Sequence, residues 1–229
     1  LKLTAALGLP SANVAMADFK GNRVLVVERF DRLWTRDKRL LRLPQEDCCQ
    51  ALSVTPTRKY ESDGGPGMAA ILDLLKGSDD PEADRRLLLK AQIVFWLLGA
   101  TDGHAKNFSI FLRPGGRFRL TPLYDVMSVQ PAVDASQLRR NRMKLALAVG
   151  DIRHYVVHEI MPRHFLQTAA NSGIPATVVQ SIFDELLESA QTAVSKVIED
   201  LPAGFPAEQA RSIVGGLHSR LRLLERSPS

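Results

Sequence analysis

Apolar residues follow two different spacings along this chain, one of strand type and one of helical type. Residues 14–19 and 23–30 are short, rich in Val and Leu, and joined by Lys20-Gly21-Asn22, a pattern typical of a β-hairpin. Two strands do not form a stable sheet by themselves. We therefore expect this hairpin to be the edge of a sheet whose other strands lie upstream of the chain, or to pack on the helical remainder.

A second hairpin is predicted in the middle of the chain. Residues 108–112 and 117–120 have strand character, and Pro114-Gly115-Gly116 lies between them. The glycines allow the backbone angles that a tight turn requires. A further extended stretch is predicted at residues 39–43.

Helical spacing dominates the remaining sequence. The opening residues LKLTAALGLP are typical of the end of a helix, and residues 81–98 have the strongest pattern, which predicts the core helix of the domain. Everything after about Lys144 is predicted to be helical. The other predicted helices are 45–52, 68–75, 154–165, 176–198 and 207–224. Together these patterns predict an α+β fold, with a small β part followed by a mainly helical body.

The composition limits the classes of protein to which this chain can belong. Of 229 residues, 45% are hydrophobic and 24% charged, which is the balance of a globular protein. The net charge of +5 is by itself weak support for a nucleic-acid partner. We expect no membrane helix, because no apolar run approaches the roughly 20 residues that span a bilayer, and the start of the chain lacks the features of a signal peptide. The only cysteines, Cys48 and Cys49, are adjacent and cannot easily pair, which favours the reducing cytoplasm.

Polar residues cluster between the predicted core helix and the second hairpin. Asp102 and Asn107 precede the first strand of that hairpin, and Asp125 follows its second strand. Because a hairpin returns the chain to its starting point, these three side chains can converge. Their oxygens suit Mg²⁺, which also binds substrate phosphates. The alternative is structural, with Asp and Asn as turn residues and Asp125 as the cap of the next helix.

The spacing of these residues indicates which reaction they could catalyse. In protein kinases a catalytic Asp is followed five positions later by a metal-binding Asn and, across a hairpin, by a metal-binding Asp. Asp102 and Asn107 have the first interval, and Asp125 lies 18 residues after Asn107. The motif at Asp125 is Tyr-Asp-Val and not Asp-Phe-Gly, so an ordinary eukaryotic-type kinase is excluded.

Two more residues of this cluster have candidate roles. His104 is a candidate metal ligand or general base, but the five histidines include no pair in the arrangement of zinc hydrolases, so we favour a role in orienting the loop. Lys106 is a candidate for neutralising a transferred phosphate, and a solvated lysine is the alternative.

Longer motifs resemble one family, the HipA-type Ser/Thr kinase toxins of bacterial toxin–antitoxin pairs. The resemblance covers essentially the whole chain and implies a protein-kinase-like fold. Residues 1–31 would be the end of the N-terminal lobe and the hinge, and residues 32–229 the helical C-terminal lobe. The matching stretches are VERFDR from Val27, LPQED from Leu43, KYESDGGPG from Lys59, GATDGHAKNFS from Gly99, LTP from Leu120, the Tyr124-Asp125 pair, KLA from Lys144 and PRHFL from Pro162.

The resemblance also implies roles for individual residues. Asp102 would be the catalytic base that accepts the proton of the substrate hydroxyl, and Asn107 and Asp125 would hold Mg²⁺ between the phosphates of ATP. The backbone of Glu28 and Phe30 would bind adenine, with Asp31 near the ribose. For the KYESDGGPG loop, a substrate channel and a plain turn are both open. The complete set of candidate nucleotide-binding residues is Glu28, Phe30, Asp31, His104, Lys106 and Tyr124.

One departure from the family pattern limits the expected activity. In this family the glycine-rich phosphate loop and the lysine that binds the nucleotide phosphates lie upstream of the helix that opens this sequence. We therefore expect the chain to bind nucleotide weakly by itself. A non-catalytic remnant or half of a split kinase is the alternative. A small-molecule phosphotransferase is disfavoured, because those enzymes usually have His directly before the Asp, where this chain has Thr101.

The family implies partners as well. The expected substrate is a protein such as an aminoacyl-tRNA synthetase, and the expected complex contains a HipB-like helix-turn-helix antitoxin on operator DNA. Arg139, Arg140 and Arg142 form a basic run that would contact DNA phosphates with salt-dependent affinity. A solvated loop is the alternative for this run.

Overall fold

Helices and small antiparallel sheets make up the computed structural model, which describes residues 1–226 and confirms the predicted α+β class. The last three residues of the predicted C-terminal lobe, 227–229, lie outside the described part. No helix within residues 1–226 is long and apolar enough to cross a membrane. The helices are α1 (Lys2–Ala6), α2 (Cys48–Ala51), α3 (Met68–Leu74), α4 (Pro81–Leu98), α5 (Gln130–Asp134), α6 (Pro162–Asn171), α7 (Ala176–Glu199) and α8 (Ala207–Glu225).

The strands form four separate antiparallel sheets in residues 1–226. β1 pairs with β2, β3 with β4 and β8 with β9, while β6 lies between β5 and β7. The strands are β1 (Val14–Phe19), β2 (Asn22–Val27), β3 (Arg32–Trp34), β4 (Leu40–Arg42), β5 (Gln45–Asp47), β6 (Ser109–Arg113), β7 (Arg117–Leu120), β8 (Lys144–Val149) and β9 (His154–Val156).

The central helix α4 has the bounds that the sequence predicts. It begins after Asp80, whose side chain accepts the N–H of Ala83 as an N-cap. It ends at Gly99, whose φ of 65° favours glycine, and a Cβ there would lie 2.0 Å from the Met143 side chain. Residues 88–98 are buried on every side, with α6, α7 and α8 packed around them. The helix therefore fixes the point from which the chain enters the polar cluster.

Two buried polar side chains attach α4 to the second half of the chain. The Gln92 amide donates to the carbonyl of Leu147 at 2.8 Å, and the Trp96 indole donates to the carbonyl of Val157 at 3.0 Å. Because an unpaired buried donor is costly, these bonds hold α4 in one rotational setting. That setting fixes the direction of the loop beyond Gly99.

Two predicted helices are wrong in part. Residues 45–47 form β5, because they add a third strand to the second hairpin, and the helix starts only at Cys48. The predicted helix over residues 154–165 begins instead at Pro162. Its first part is β9, which pairs with the buried strand β8, so the chain after Lys144 is not entirely helical.

The first hairpin is confirmed, with its second strand shorter than predicted. The turn residues Lys20 and Gly21 both have positive φ, as type I′ hairpin turns require. β1 lies over helices α1, α7 and α8 across an apolar cavity of about 460 Å³, whereas β2 is exposed along its whole length. After Val27 the chain leaves the hairpin and turns at Phe30 and Asp31, where the Arg32 N–H donates to the Arg29 carbonyl, and residues 28–31 lie in the lining of a second cavity.

Candidate active site

The loop after α4 is organised by the backbone carbonyl of Asp102. This carbonyl accepts the N–H of His104 at 2.9 Å and the side-chain amide of Asn107 at 2.7 Å. A Cβ on Gly103 would lie 2.4 Å from the ring of Phe95, so the loop packs on the core helix only because this position is glycine. The Asn107 amide nitrogen therefore already donates a hydrogen bond, whereas the amide oxygen of Asn107 has no hydrogen-bond partner within residues 1–226.

The second hairpin brings Asp125 back to the same loop, as the sequence predicts. The Tyr124 hydroxyl donates to the carbonyl of Lys106 at 2.7 Å and lies 2.9 Å from the Ser109 hydroxyl. Burial raises the pKa of Tyr124 to about 12, so the phenol keeps its proton. Asp125 is exposed, and among the described residues its carboxylate forms no hydrogen bond or ion pair. Helix α5 starts later and has Val129 as its N-cap, so Asp125 does not cap it.

One cavity of about 550 Å³ joins this loop to the segment after β2. It contains most of the residues that the sequence predicts for nucleotide and metal, whereas Asp102 and His104 lie beside it and not in its lining. The predicted residues in the lining are Glu28, Phe30, Asp31, Lys106, Asn107, Tyr124 and Asp125. The tertiary structure therefore brings the predicted hinge and metal ligands to one place.

The segment after β2 offers backbone groups to this cavity. The Glu28 N–H donates to the carbonyl of Asn13 at 2.9 Å, but within residues 1–226 the Glu28 carbonyl and the Phe30 N–H have no backbone partner. The Phe30 ring packs against Phe111 and Tyr124, with ring centroids 5.5 Å away in both cases. An acceptor and a donor on residues two positions apart match the amine and ring nitrogen on one edge of adenine.

Asp31 is buried at the rim of the cavity and is bound by two arginines. Arg29 donates to both of its carboxylate oxygens at 2.8 and 2.7 Å, and Arg32 donates to one of them at 2.5 Å. The hydrogen bonds from Arg29, supported by Arg32, lower the pKa of Asp31 from 3.8 to about 2. Asp31 therefore braces the hinge. A ribose hydroxyl would have to share a carboxylate oxygen with an arginine, and the ribose contact stays a prediction.

Removal of this brace should have a pH-dependent effect on stability. Because the pKa of Asp31 is lower in the folded state, its contribution is complete above the unfolded value and is lost as pH falls towards 2. Asp31→Asn is expected to lower the free energy of unfolding by about 2 kcal/mol at pH 7 and by about half as much at pH 3. Urea denaturation at pH 7, 5 and 3 measures the difference.

A matched control lies in the neighbouring hairpin. Asp37 is exposed and pairs with Arg39, so Asp37→Asn should change stability little at any of these pH values. A difference between wild type and Asp31→Asn that does not shrink at acid pH would contradict the assigned ion pairs.

Lys106 and His104 have local partners. The Lys106 ammonium donates to Asp47 at 2.9 Å, and Asp47 also caps α2, so this lysine is held at the cavity wall and is not simply solvated. The His104 imidazole lies 3.8 Å from the Asp102 carboxylate. Burial lowers the pKa of His104, which favours the neutral ring. His104 is thus placed to shape the loop, as the sequence analysis favours.

Several residues at the site are absent from the sequence-based predictions. Tyr60 contacts Asp102 from the other side of the loop. The additional cavity residues are Gln45, Asp47, Gln50 and Ser109. For all of them except Gln50, the available signal was a position inside the LPQED, KYESDGGPG and GATDGHAKNFS stretches, but spacing along the chain assigns them no chemistry.

The donor set at the cavity fits Mg²⁺. The Asn107 amide oxygen and the Asp125 carboxylate both belong to the lining, and neither accepts a hydrogen bond within residues 1–226. No cluster of three or more His, Cys, Asp or Glu side chains able to hold a metal occurs in residues 1–226. A hard cation that takes one carboxylate, one amide oxygen, waters and substrate phosphates suits such a sparse set.

The fold is that of the C-terminal lobe of a protein-kinase-like protein. Its features are a buried helix, a loop with Asp102 and Asn107, a hairpin that returns to Asp125, and the predicted hinge segment at the cavity rim. Residues 1–194 match the HipA-like C-terminal domain family. The chain belongs to this family.

The relatives agree with this assignment. "Putative kinase Y4mE" of Sinorhizobium fredii is 35% identical over 87% of this chain and 46% of its own length. "Serine/threonine-protein kinase toxin HipA" of Shewanella oneidensis is 29% identical over 88% of this chain and 47% of its own length. The chain thus spans about half the length of these relatives.

Solved structures give the same fold. HipA in the Shewanella oneidensis complex of HipA, HipB and operator DNA matches 98% of this chain and 55% of that chain, with a TM-score of 0.85 and 25% identity. The Helicobacter pylori proinflammatory kinase CtkA matches 97% of this chain and 81% of that chain, with a TM-score of 0.57 and 13% identity, and supports the fold alone.

Proposed function

We propose that the protein to which this chain belongs is an ATP- and Mg²⁺-dependent protein kinase of the HipA toxin type that phosphorylates Ser or Thr. The supporting observation is the single cavity that contains the hinge residues Glu28 and Phe30 together with Asn107 and Asp125. The Asn107 side chain also donates to the backbone carbonyl of Asp102, so the proposed proton acceptor and the proposed metal ligand are coupled through one short loop.

Each group has a defined task in this reaction. The Glu28 carbonyl and the Phe30 N–H bind adenine, and the Phe30 ring packs beside it. Asn107 and Asp125 hold Mg²⁺, which when bound offsets the negative charge of the β- and γ-phosphates. The acceptor oxygen forms a bond to the γ-phosphorus as the bond from that phosphorus to the ADP oxygen breaks. Asp102 receives the proton of the acceptor hydroxyl.

The proposed acceptor is a protein hydroxyl. The name of the Shewanella oneidensis relative, a serine/threonine-protein kinase toxin, supports this class, and the family resemblance points to an aminoacyl-tRNA synthetase. Asp102 lies beside the nucleotide cavity, so a side chain from a second protein can approach it without passing through that cavity.

A phosphotransfer assay on the complete gene product tests the proposal. The product is incubated with ATP labelled at the γ-phosphate and with candidate protein acceptors, in Mg²⁺ or in excess EDTA. We expect label on Ser or Thr of a protein in Mg²⁺ and none in EDTA. Absence of transfer would support the non-catalytic alternative, and transfer only to small-molecule hydroxyls would support the small-molecule phosphotransferase.

We also propose that the complete protein joins an antitoxin on operator DNA, as HipA does in the Shewanella oneidensis complex with HipB. Arg140 and Arg142 lie in a short 3₁₀ turn, and Arg139 directly precedes it. All three residues are exposed. Their side chains have no ion pair within residues 1–226, so their charges are available to phosphates. This observation favours the basic run as the DNA-facing element of the chain.

Salt dependence measures this contribution. Changing Arg139, Arg140 and Arg142 together to Gln should lower the slope of log K against log salt for operator binding by up to roughly 3, because each phosphate contact contributes about 0.9. The measurement is fluorescence anisotropy of an operator duplex with the complete protein and its antitoxin.

A charge-matched control uses the hairpin β3–β4. Arg36, Arg39 and Arg42 are also exposed, and their change to Gln removes the same charge. An equal loss of slope in both triple variants would show a general charge effect and would remove the specific assignment of the 139–142 run.

A further inference from the structure

The KYESDGGPG loop places Tyr60 on the carboxylate of Asp102. The Tyr60 hydroxyl donates to Asp102 Oδ1 at 2.6 Å, a length typical of a charge-assisted hydrogen bond. Within residues 1–226 the other oxygen, Oδ2, accepts no hydrogen bond. The two residues are 42 positions apart in the chain, so this contact depends on how the loop docks.

The ring of Tyr60 is held as well as its hydroxyl. It meets the buried imidazole of His104 edge to face, with ring centroids 4.9 Å away, and the Lys59 ammonium lies 5.1 Å from the ring centroid on its face. The aromatic contact and the hydrogen bond together restrict both side-chain torsions of Tyr60. Asp102 is therefore contacted by an immobilised donor.

The glycines of the loop allow a tight turn that holds the backbone of Tyr60 in place. The carbonyl of Tyr60 accepts the N–H of Asp63 at 3.1 Å and of Gly65 at 2.9 Å, and Gly64 has a φ of 82°. A Cβ on Gly65 would lie 2.0 Å from the carbonyl oxygen of Arg58. Only glycine allows this turn to close beneath Tyr60.

Glu61 attaches this turn to the body of the domain. Its carboxylate accepts the N–H of Ala148 in β8 at 2.6 Å and lies 3.6 Å from the Arg153 guanidinium. A Cβ on Gly67 would lie 2.4 Å from the same carboxylate, so glycine there lets Glu61 lie against the backbone. A plain surface turn would not need a carboxylate that is largely buried and bonded to a distant strand.

We propose that Tyr60 is a positioning residue, which holds one oxygen of the Asp102 carboxylate and leaves the other directed at the acceptor hydroxyl. The inference rests on the proposed function, in which Asp102 is the base. Tyr60 lies outside the lining of the nucleotide cavity, so it acts on the acceptor side and not on nucleotide binding. The KYESDGGPG loop thereby acquires a role as part of the acceptor site.

The pairing has a readout that does not require activity. The hydrogen bond to Asp102, with burial and the negative charge of Asp102, raises the pKa of Tyr60 to about 12. In the 229-residue chain with ¹³Cζ-labelled tyrosine, the Tyr60 signal, assigned through Tyr60→Phe, should not shift up to pH 10.5. In Asp102→Asn the Tyr60 signal should titrate at lower pH than in wild type, while the Tyr155 signal should titrate identically in the two proteins. Identical Tyr60 titrations in the two proteins would overturn the pairing.

Kinetics of the complete gene product test the role itself. Tyr60→Phe is expected to lower kcat roughly 10- to 100-fold, because a carboxylate that is no longer held deviates from the productive geometry. KM for ATP should change less than about twofold, since Tyr60 does not contact the nucleotide cavity. In an Asp102→Asn background, Tyr60→Phe should cause no further loss. The control is Ser181→Ala, which removes an exposed hydroxyl of α7 that donates to the carbonyl of Val178 and should leave both constants unchanged.

The outcomes separate this inference from the proposed function. Wild-type kcat in Tyr60→Phe would overturn the positioning role and leave the kinase assignment intact. A parallel rise of KM for ATP with the fall of kcat would show a general disturbance of the lobe and would also overturn it. A wild-type product without phosphotransfer would remove the kinase assignment and the positioning role together.

Discussion

Asp102→Asn in the complete gene product is expected to reduce kcat for phosphotransfer by roughly 100- to 10,000-fold, the contribution of a positioned general base. Asparagine has nearly the same shape and can still accept the Tyr60 hydroxyl, and the Asp102 carbonyl that organises the loop is retained. The substitution therefore removes the proton acceptor and leaves the geometry in place. KM for ATP should remain close to wild type, because Asp102 does not line the nucleotide cavity.

The measurement is steady-state transfer of labelled γ-phosphate to a protein acceptor at saturating Mg²⁺. Asp73→Asn is the control, because Asp73 is an exposed residue of α3 whose ion-pair partner within residues 1–226 is Lys76. Its kcat should equal that of wild type. Comparable activity in Asp102→Asn and wild type would exclude Asp102 as the base and would leave the loop with a purely structural role.

Asp125→Asn is expected to reduce phosphotransfer by roughly 100- to 1,000-fold, because the variant loses the charged member of the metal-binding pair and the several kcal/mol that a bound cation supplies to the reaction. The Asp125 carboxylate has no ion pair or hydrogen bond with any residue in the described part of the chain. Its removal thus breaks no internal contact, and the folded state should be as stable as wild type.

The signature of this variant is its dependence on metal concentration. Activity measured from micromolar to tens of millimolar Mg²⁺ should show a strong shift to higher concentration in Asp125→Asn, whereas Asp102→Asn should show none. Asp184→Asn, a change on the exposed face of α7, serves as the control. An unshifted Mg²⁺ dependence in Asp125→Asn would contradict the assignment of Asp125 as a metal ligand.

Errors in the sequence analysis share one cause. Residues 45–47 were predicted to be helical from local pattern, yet they pair with β6, where Gln45 lies opposite Phe111. Residues 154–156 likewise become a strand because β8 lies beside them. A strand is stabilised by a partner that is distant in sequence, so a stretch of three residues carries too little local information to separate it from a helix.

The residues of the candidate active site also fall into two groups, those that local spacing predicts and those that it does not. The interval from Asp102 to Asn107 and the hairpin before Asp125 were readable because a single loop and a single hairpin bring these residues together. The brace on Asp31 is also local, since both arginines are within two residues of it, but no spacing rule predicts that the carboxylate is buried. Tyr60 was invisible as a site residue because its only link to Asp102 is the docking of a separate loop.

By itself, the sequence determined the bounds of the core helix α4, the two hairpins and the order of the candidate catalytic residues. These features depend on periodicity and on contacts between near neighbours, which the order of residues specifies directly. Only the tertiary structure decided that β5 and β9 are strands, that the predicted hinge and metal-binding residues line one cavity, and that Tyr60 is hydrogen-bonded to Asp102. Those outcomes depend on packing between distant segments, whose relative free energies are not encoded in any single stretch of the chain.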